Sequence, residues 1–270
     1  MKSRSKIGFS TGSRKMHRIR AIVENTFKEA LRQRILTLLA IFAVLVIIVS
    51  LFMEPFALGQ APRILRDFGL ATAALFGALV VIIIGSALIH KDIEKRTLYT
   101  VITKPVKRSE IIIGKFFGLF FLLIILECAM ALIHQLVIFM YEGAFDPALL
   151  IVIPFTLLEL MILLGILLLF SSFSSPALSA LMGVIFYVVG HASPDLKLFA
   201  EQTTMPVLKH LAYGFYYVLP NLENFNIRID VVHKLPLYSD QMFFSICYGL
   251  VYTVFLLYLS TAIFEHREFK

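Results

Sequence analysis

Two carboxylates and an imidazole stand inside long apolar runs of this 270-residue chain: Glu127 and His134 in the run 111–140, and Glu159 in the run 149–170. Glu127 and His134 are seven positions apart, two helical turns, so a helix would present them on one face. Groups of this kind can pass a proton, contact a substrate or, in an intramembrane enzyme, serve as acid and base. No H-E-x-x-H or other hydrolase spacing accompanies them, which makes the enzyme the weakest of these readings. An acid at mid-membrane costs on the order of 3 kcal/mol to insert, and each Leu or Ile returns about 0.3–0.6 kcal/mol. The run 149–170 has 18 large apolar residues in 22, so it inserts in spite of Glu159. Both acids are therefore expected to face the bundle interior, each other or a cavity. Taken alone, the residues leave two roles open for each: a substrate or proton contact, or a protonated or helix-bonded structural acid.

The elements that must position these groups follow from hydropathy. Hydrophobic residues make up 59% of the chain and charged residues 16%, with a mean hydropathy of +0.85. A soluble domain carries about a quarter of its residues as charges, so much of this surface faces something other than water. Six apolar runs approach the roughly 20 residues a spanning helix needs: 35–52, 68–89, 111–140, 149–170, 177–192 and 242–264. The third exceeds one untilted crossing, and the fifth is short. Glu54-Pro55, Asp146-Pro147 and the stretch Ser171 to Pro176 read as the turns between them. The expected fold is thus an all-α membrane domain over 1–270, with a cytoplasmic or interfacial helix in 1–34, a six-helix bundle in 35–264 and a cytoplasmic tail in 265–270. Cys128 and Cys247 lie within apolar runs and read as small buried hydrophobes. The basic start, continuing to Arg34, is too long for the n-region of a signal peptide.

Charge sets the expected orientation. Segments 1–34 and 90–115 carry ten and seven Lys/Arg, and the tail after Phe264 carries two. The connections after the first and third runs carry two and none, and the segment 191–238 carries four. With both termini inside, nineteen of twenty-five basic residues are cytoplasmic, the positive-inside pattern for an even number of spans. The net charge of +7 is then a topology signal, and no basic–aromatic face suggests nucleic acid. Ile19, Ile22, Val23, Phe27, Ala30 and Leu31 form one helical stripe ahead of the first run. That helix is expected to lie in the headgroup layer; a helix packed on a soluble partner would show the same stripe. Between the fifth and sixth runs, the Tyr-rich stretch 206–220 reads as one or two re-entrant or interfacial helices.

The most informative segment joins the second and third runs: Asp92-Ile-Glu94-Lys-Arg96-Thr97-Leu98-Tyr99-Thr-Val101-Ile102-Thr-Lys-Pro105-Val-Lys107-Arg108-Ser109-Glu110, then Ile-Ile-Ile-Gly114-Lys115. The pattern predicts a short helix over 93–102, stopped by Pro105, with Ser109 as N-cap of the third span. Leu98, Val101 and Ile102, with Tyr99 beside them, would share an apolar face, which in so charged a loop needs a partner. On the second run, Gly69, Ala73 and Gly77 recur every fourth position and suit close helix packing.

The segment 92–118 resembles the signature that follows the second helix of type-2 ABC transporter permeases, most closely the subgroup of the nitrous-oxide reductase maturation transporter. Thr97, Leu98, Pro105, Arg108, Glu110, Gly114 and Lys115 are in register with it, while Arg96 stands where many members have Gly. The N-terminal amphipathic helix, the six spans and the external stretch Leu219-Pro220-Asn221-Leu222-Glu223-Asn224-Phe225 are similar as well. The resemblance implies an exporter permease in the inner membrane, working as a dimer (a homodimer by preference) with an ABC ATPase docked on Glu94, Thr97, Leu98, Tyr99, Val101, Ile102, Pro105 and Arg108. No G-x-x-x-x-G-K-[ST] occurs, and Gly114-Lys115 is the single Gly-Lys. ATP and Mg would therefore sit on the partner, with no cofactor or metal on this chain. The rival readings are a non-transporting relay from the ATPase to a periplasmic partner through 191–238, and the intramembrane enzyme built on Glu127, His134 and Glu159.

Overall fold

A computed structural model describes residues 6–32, 35–53, 60–89 and 107–266. Among these residues the regular structure is all helical, with no strand. In chain order the helices are α1 (Lys6–Leu31), α2 (Ile35–Met53), α3 (Ala61–Ala87), α4 (Arg108–Glu142), α5 (Val152–Ser171), α6 (Pro176–His191), α7 (Ser193–Gln202), α8 (Pro206–Val218), α9 (Arg228–Val232) and α10 (Ser239–His266). Two 3-10 turns, Pro147–Ile151 and Leu222–Phe225, precede α5 and α9.

The boundaries have local causes. Pro62 in the first turn of α3 lets that helix begin at Ala61, seven residues before the apolar run does. The third span is capped differently from the expectation. Lys107, not Ser109, is the N-cap, because the Glu110 carboxylate accepts the Lys107 N–H at 3.4 Å and so supplies the acceptor three residues in. Gly143, with φ 74°, ends α4 and donates its N–H to Phe139 O at 2.8 Å. Asp146 opens the first 3-10 turn by accepting from Ala148 N–H at 3.2 Å.

α5 is apolar on all sides, which suits only a central position. It packs against α3, α4, α6 and α10, and Leu160, Ile162, Leu163, Leu164, Leu167 and Leu168 are fully buried. α10 gives α5 one face and turns Phe243, Val251, Val254 and Tyr258 outward. α2 lies on α3 and α4, and α1 lies along α4. Part of the stripe on α1 is seated on its own chain: Ala30 is buried, as is Thr26 beside it, while Leu31 stays exposed. A Cβ added at Gly114 would sit 2.6 Å from Ile22 Cγ2, and one at Gly118 would sit 2.9 Å from the Val23 carbonyl oxygen. Those two glycines, one helical turn apart, let the α1 backbone approach α4.

Four helical stretches among the described residues are long and apolar enough to cross a membrane: Ala61–Ala87, Arg108–Glu142, Pro147–Ser171 and Ser239–His266. α6 and α7, bent by 54° at their junction, would supply a fifth if they count as one span. In α2, Thr37–Phe52 forms a shorter apolar helix. The chain is therefore a multi-pass membrane protein, and the apolar runs fall on α2, α3, α4, α5, α6 and α10.

The connection after α6 is folded. α7 and α8 pack on each other, and α8 leaves Val207, Leu211, Phe215 and Val218 exposed. The turn Leu222–Phe225 then plugs one end of the bundle. Leu222 fills the space that Gly190 leaves on α6, and Phe225 the space that Gly249 leaves on α10. Tyr248 Oη accepts the Asn221 N–H at 3.0 Å, and Tyr252 Oη donates to Val218 O at 3.2 Å.

Candidate functional site: an intramembrane polar group and two basic clamps

α4 places Glu127 and His134 on the face toward α3, where the glycines of α3 receive them. A Cβ at Gly69 would collide with the His134 ring, and one at Gly77 with Glu127 Oε1 and Leu160. What approaches Gly69 and Gly77 is thus a pair of polar side chains on α4, not another backbone. Ala73, between them, is half-buried against the core. His134 is satisfied locally: its Nε2 lies 3.2 Å from the Leu65 carbonyl oxygen. A carbonyl only accepts, so Nε2 carries the hydrogen.

The two acids differ from His134. Glu127 is 3% and Glu159 4% exposed, yet Oε1 of each has no hydrogen-bond partner among the described residues. Glu159 lies seven residues into α5, about 10 Å along its axis at 1.5 Å per residue. Its Oε1 faces His191 Nε2, at the end of α6, at 3.5 Å, and the buried His191 Nδ1 is also unpartnered. Tyr187 packs on the His191 ring with centroids 4.8 Å apart. Glu223 of the plug and Arg228 of α9 are within electrostatic reach of Glu159. They are already linked through Asn226, which donates to Glu223 Oε1 at 2.6 Å and accepts from Arg228 Nε at 2.7 Å. His191 was not among the candidates from sequence. A lone imidazole at the end of an apolar run does not announce its partner; α6, packed beside α5, brings it to Glu159.

At the other end of α4 two basic side chains close helix C-termini. Arg108 Nη1 donates to Phe264 O at 2.7 Å and to Glu265 O at 3.1 Å, with its guanidinium 5.8 Å from the Phe264 ring centre. Lys115, 3% exposed, donates to Leu88 O at the end of α3. The carbonyls at a helix C-terminus carry partial negative charge, so a cation there is favourable. In this way α4, through Arg108 and Lys115, holds the ends of α10 and α3. Glu94, Thr97, Leu98, Tyr99, Val101, Ile102 and Pro105 lie outside the described residues; Arg108 alone of that set is placed.

The described residues on either side of 90–106 are both clamped, Leu88 by Lys115 and the start of α4 through Arg108, in a chain that lacks a nucleotide-binding motif. A family model described as ABC-2 family transporter protein matches residues 20–269. The chain belongs to the ABC-2 transporter family. Among curated proteins none matches it. As a member of that family it is the membrane component of an ABC transporter, and the family implies an ABC ATPase partner beside the lipid bilayer. The match takes in α2 to α10 whole, so the clamps, the polar group and the plug all belong to the ABC-2 permease domain. Among the described residues no group of three or more His, Cys, Asp or Glu is arranged to hold a metal. Cys128 and Cys247 are exposed thiols on α4 and α10, contrary to the buried positions their apolar runs suggested. On helices that cross a membrane, such positions face lipid or a neighbouring chain.

Proposed function

We propose that this chain is the permease subunit of an ABC exporter with six spans and both termini on the cytoplasmic side of the inner membrane, working as a homodimer over separate ATPase subunits. The family match over residues 20–269 carries the reading. The six-span count adds α2 and the bent pair α6–α7 to the four stretches long and apolar enough to cross, and the nineteen-to-six split of basic residues favours the orientation. Finding Lys2 and Lys270 labelled from the cytoplasmic side, and Glu142 and Asn224 from outside, would agree with it; external labelling of either terminus would overturn it.

In this reading the ATPase docks on the segment 92–108, with Leu98, Tyr99, Val101 and Ile102 as apolar knobs. Closure of the ATPases on ATP then moves that segment. Arg108 and Lys115 pass the displacement to α10 and α3, and the bundle shifts around a dimer-axis pathway. The shift is limited to the difference in binding energy that ATP supplies to the two states. The six basic residues against two acids in 91–108 orient docking, while the knobs carry the affinity. Leu98→Asp is therefore expected to cost about 1–3 kcal/mol of ATPase binding, and Lys107→Ala far less, because rim charges are screened. Co-purification and ATPase activity of the complex measure both. A fully stimulated ATPase bound to the Leu98→Asp variant would remove the coupling role from this segment.

A further inference from the structure

We propose that Glu159 and His191 together bind a single proton between α5 and α6, and that this proton holds the plug end of α6 against α5. The proposal rests on the geometry of the pair and does not depend on transport or on the ATPase. Oε1 of Glu159 and Nε2 of His191 stand 3.5 Å apart, just beyond hydrogen-bond length. Neither Glu159 Oε1 nor His191 Nδ1 has another partner among the described residues. Without a proton the pair carries one negative charge, on a carboxylate that is 4% exposed. With one proton on the carboxyl it is neutral, and the missing hydrogen bond to the imidazole nitrogen forms. A lone buried carboxylate is far costlier than a neutral hydrogen-bonded pair, so the proton is the ligand that this site lacks.

The surrounding groups do not substitute for it. From α4 comes Glu127, a second unpartnered carboxylate, which adds negative charge. From α6 comes Tyr187, packed on the imidazole. The plug contributes Glu223, and α9 contributes Arg228, each hydrogen-bonded to Asn226 and not to Glu159. On α10, Tyr248 and Tyr252 are bonded to the turn 218–221. From α3, Arg66 is held by Glu142, and by Asp146 of the turn leading into α5. The consequence reaches the surface because Gly190, next to His191, is the residue on which Leu222 of the plug is seated.

The test is infrared spectroscopy of the full-length protein in phospholipid nanodiscs, following the carbonyl band of protonated carboxylic acids. Wild type is expected to show this band at neutral pH, and Glu159→Gln to lose a part of it that Glu127→Gln leaves in place. His191→Phe, which keeps a ring against Tyr187, is expected to shift the Glu159 part in frequency, since the shared hydrogen bond is gone. A band unchanged by Glu159→Gln overturns the proposal. If Glu159→Gln does not assemble, His191→Phe decides alone: an unshifted band means the proton is not shared, and the proposal fails.

Discussion

Two polar regions of α4 are built in opposite ways. Near its C-terminus Arg66 of α3 pairs with Glu142 at 2.6 Å and with Asp146 at 3.2 Å, and Gln135 exchanges hydrogen bonds with the Asp146 backbone at 2.5 and 3.2 Å. Deeper in the bundle Glu127 meets a glycine of α3, and its Oε1 has no partner. The first region matches charge to charge and ties α3, α4 and the turn into α5 together. The second gathers acids without matching cations. A matched set loses stability when one member is removed, whereas an unmatched acid loses little when it becomes a neutral amide. The contrast separates a structural clasp from a group held for another purpose.

The largest effect is expected at the clasp. Arg66→Met leaves Glu142 and Asp146 without their cation. The side chains are 17%, 21% and 20% exposed, so the loss lies between that of a surface pair and that of a buried one, about 1–3 kcal/mol. Thermal unfolding in nanodiscs measures it. A variant as stable as wild type would mean that the clasp is solvated in the membrane and that the contrast between the two regions is lost.

Gly77 sharpens the comparison from the other side. Gly77→Ala puts a methyl where Glu127 Oε1 and a Leu160 methyl now sit, and overpacking of this kind costs about 1–3 kcal/mol. Because the carboxylate is the far end of a flexible side chain, the expected loss is at the lower end. Adding Glu127→Ala should recover most of it. If the double variant stays as unstable as Gly77→Ala, Leu160 is the obstacle and Glu127 is not held by that glycine.

How much of this was legible beforehand depends on the range of the interaction. The apolar runs locate α2, α3, α4, α5, α6 and α10 because insertion is decided locally, by about 20 residues at a time. The inward placement of Glu127 and Glu159 was legible for the same reason: the cost of exposing a carboxylate to hydrocarbon does not depend on its partner. The partners themselves were not legible. Arg66 and Glu142 are 76 positions apart, and Glu159 reaches His191 only because α6 returns beside α5. Gly69 and Gly77 announced a close approach without saying that side chains would make it. Gly114 and Lys115 stood out only as part of a family signature, and their physical work, seating α1 and closing α3, appeared with the tertiary structure.

The smallest effect is expected at Glu159, and it is the most discriminating. Glu159→Gln keeps the shape and offers an amide hydrogen to His191 Nε2, as a protonated carboxyl would. Since no cation is lost, the cost in unfolding free energy should stay within about 1 kcal/mol, the scale of one neutral hydrogen bond. The same substitution should change ATPase stimulation or transport if the group takes part in the cycle, because the amide cannot release its hydrogen. Measured together, stability and activity separate the alternatives. Loss of several kcal/mol with activity falling in proportion would make Glu159 a second clasp, with Arg228 its unrecognised partner. Unchanged stability and altered activity would keep the two regions distinct. If stability and activity both remain at wild-type levels, Glu159 is a passive acid, and the functional half of the comparison falls.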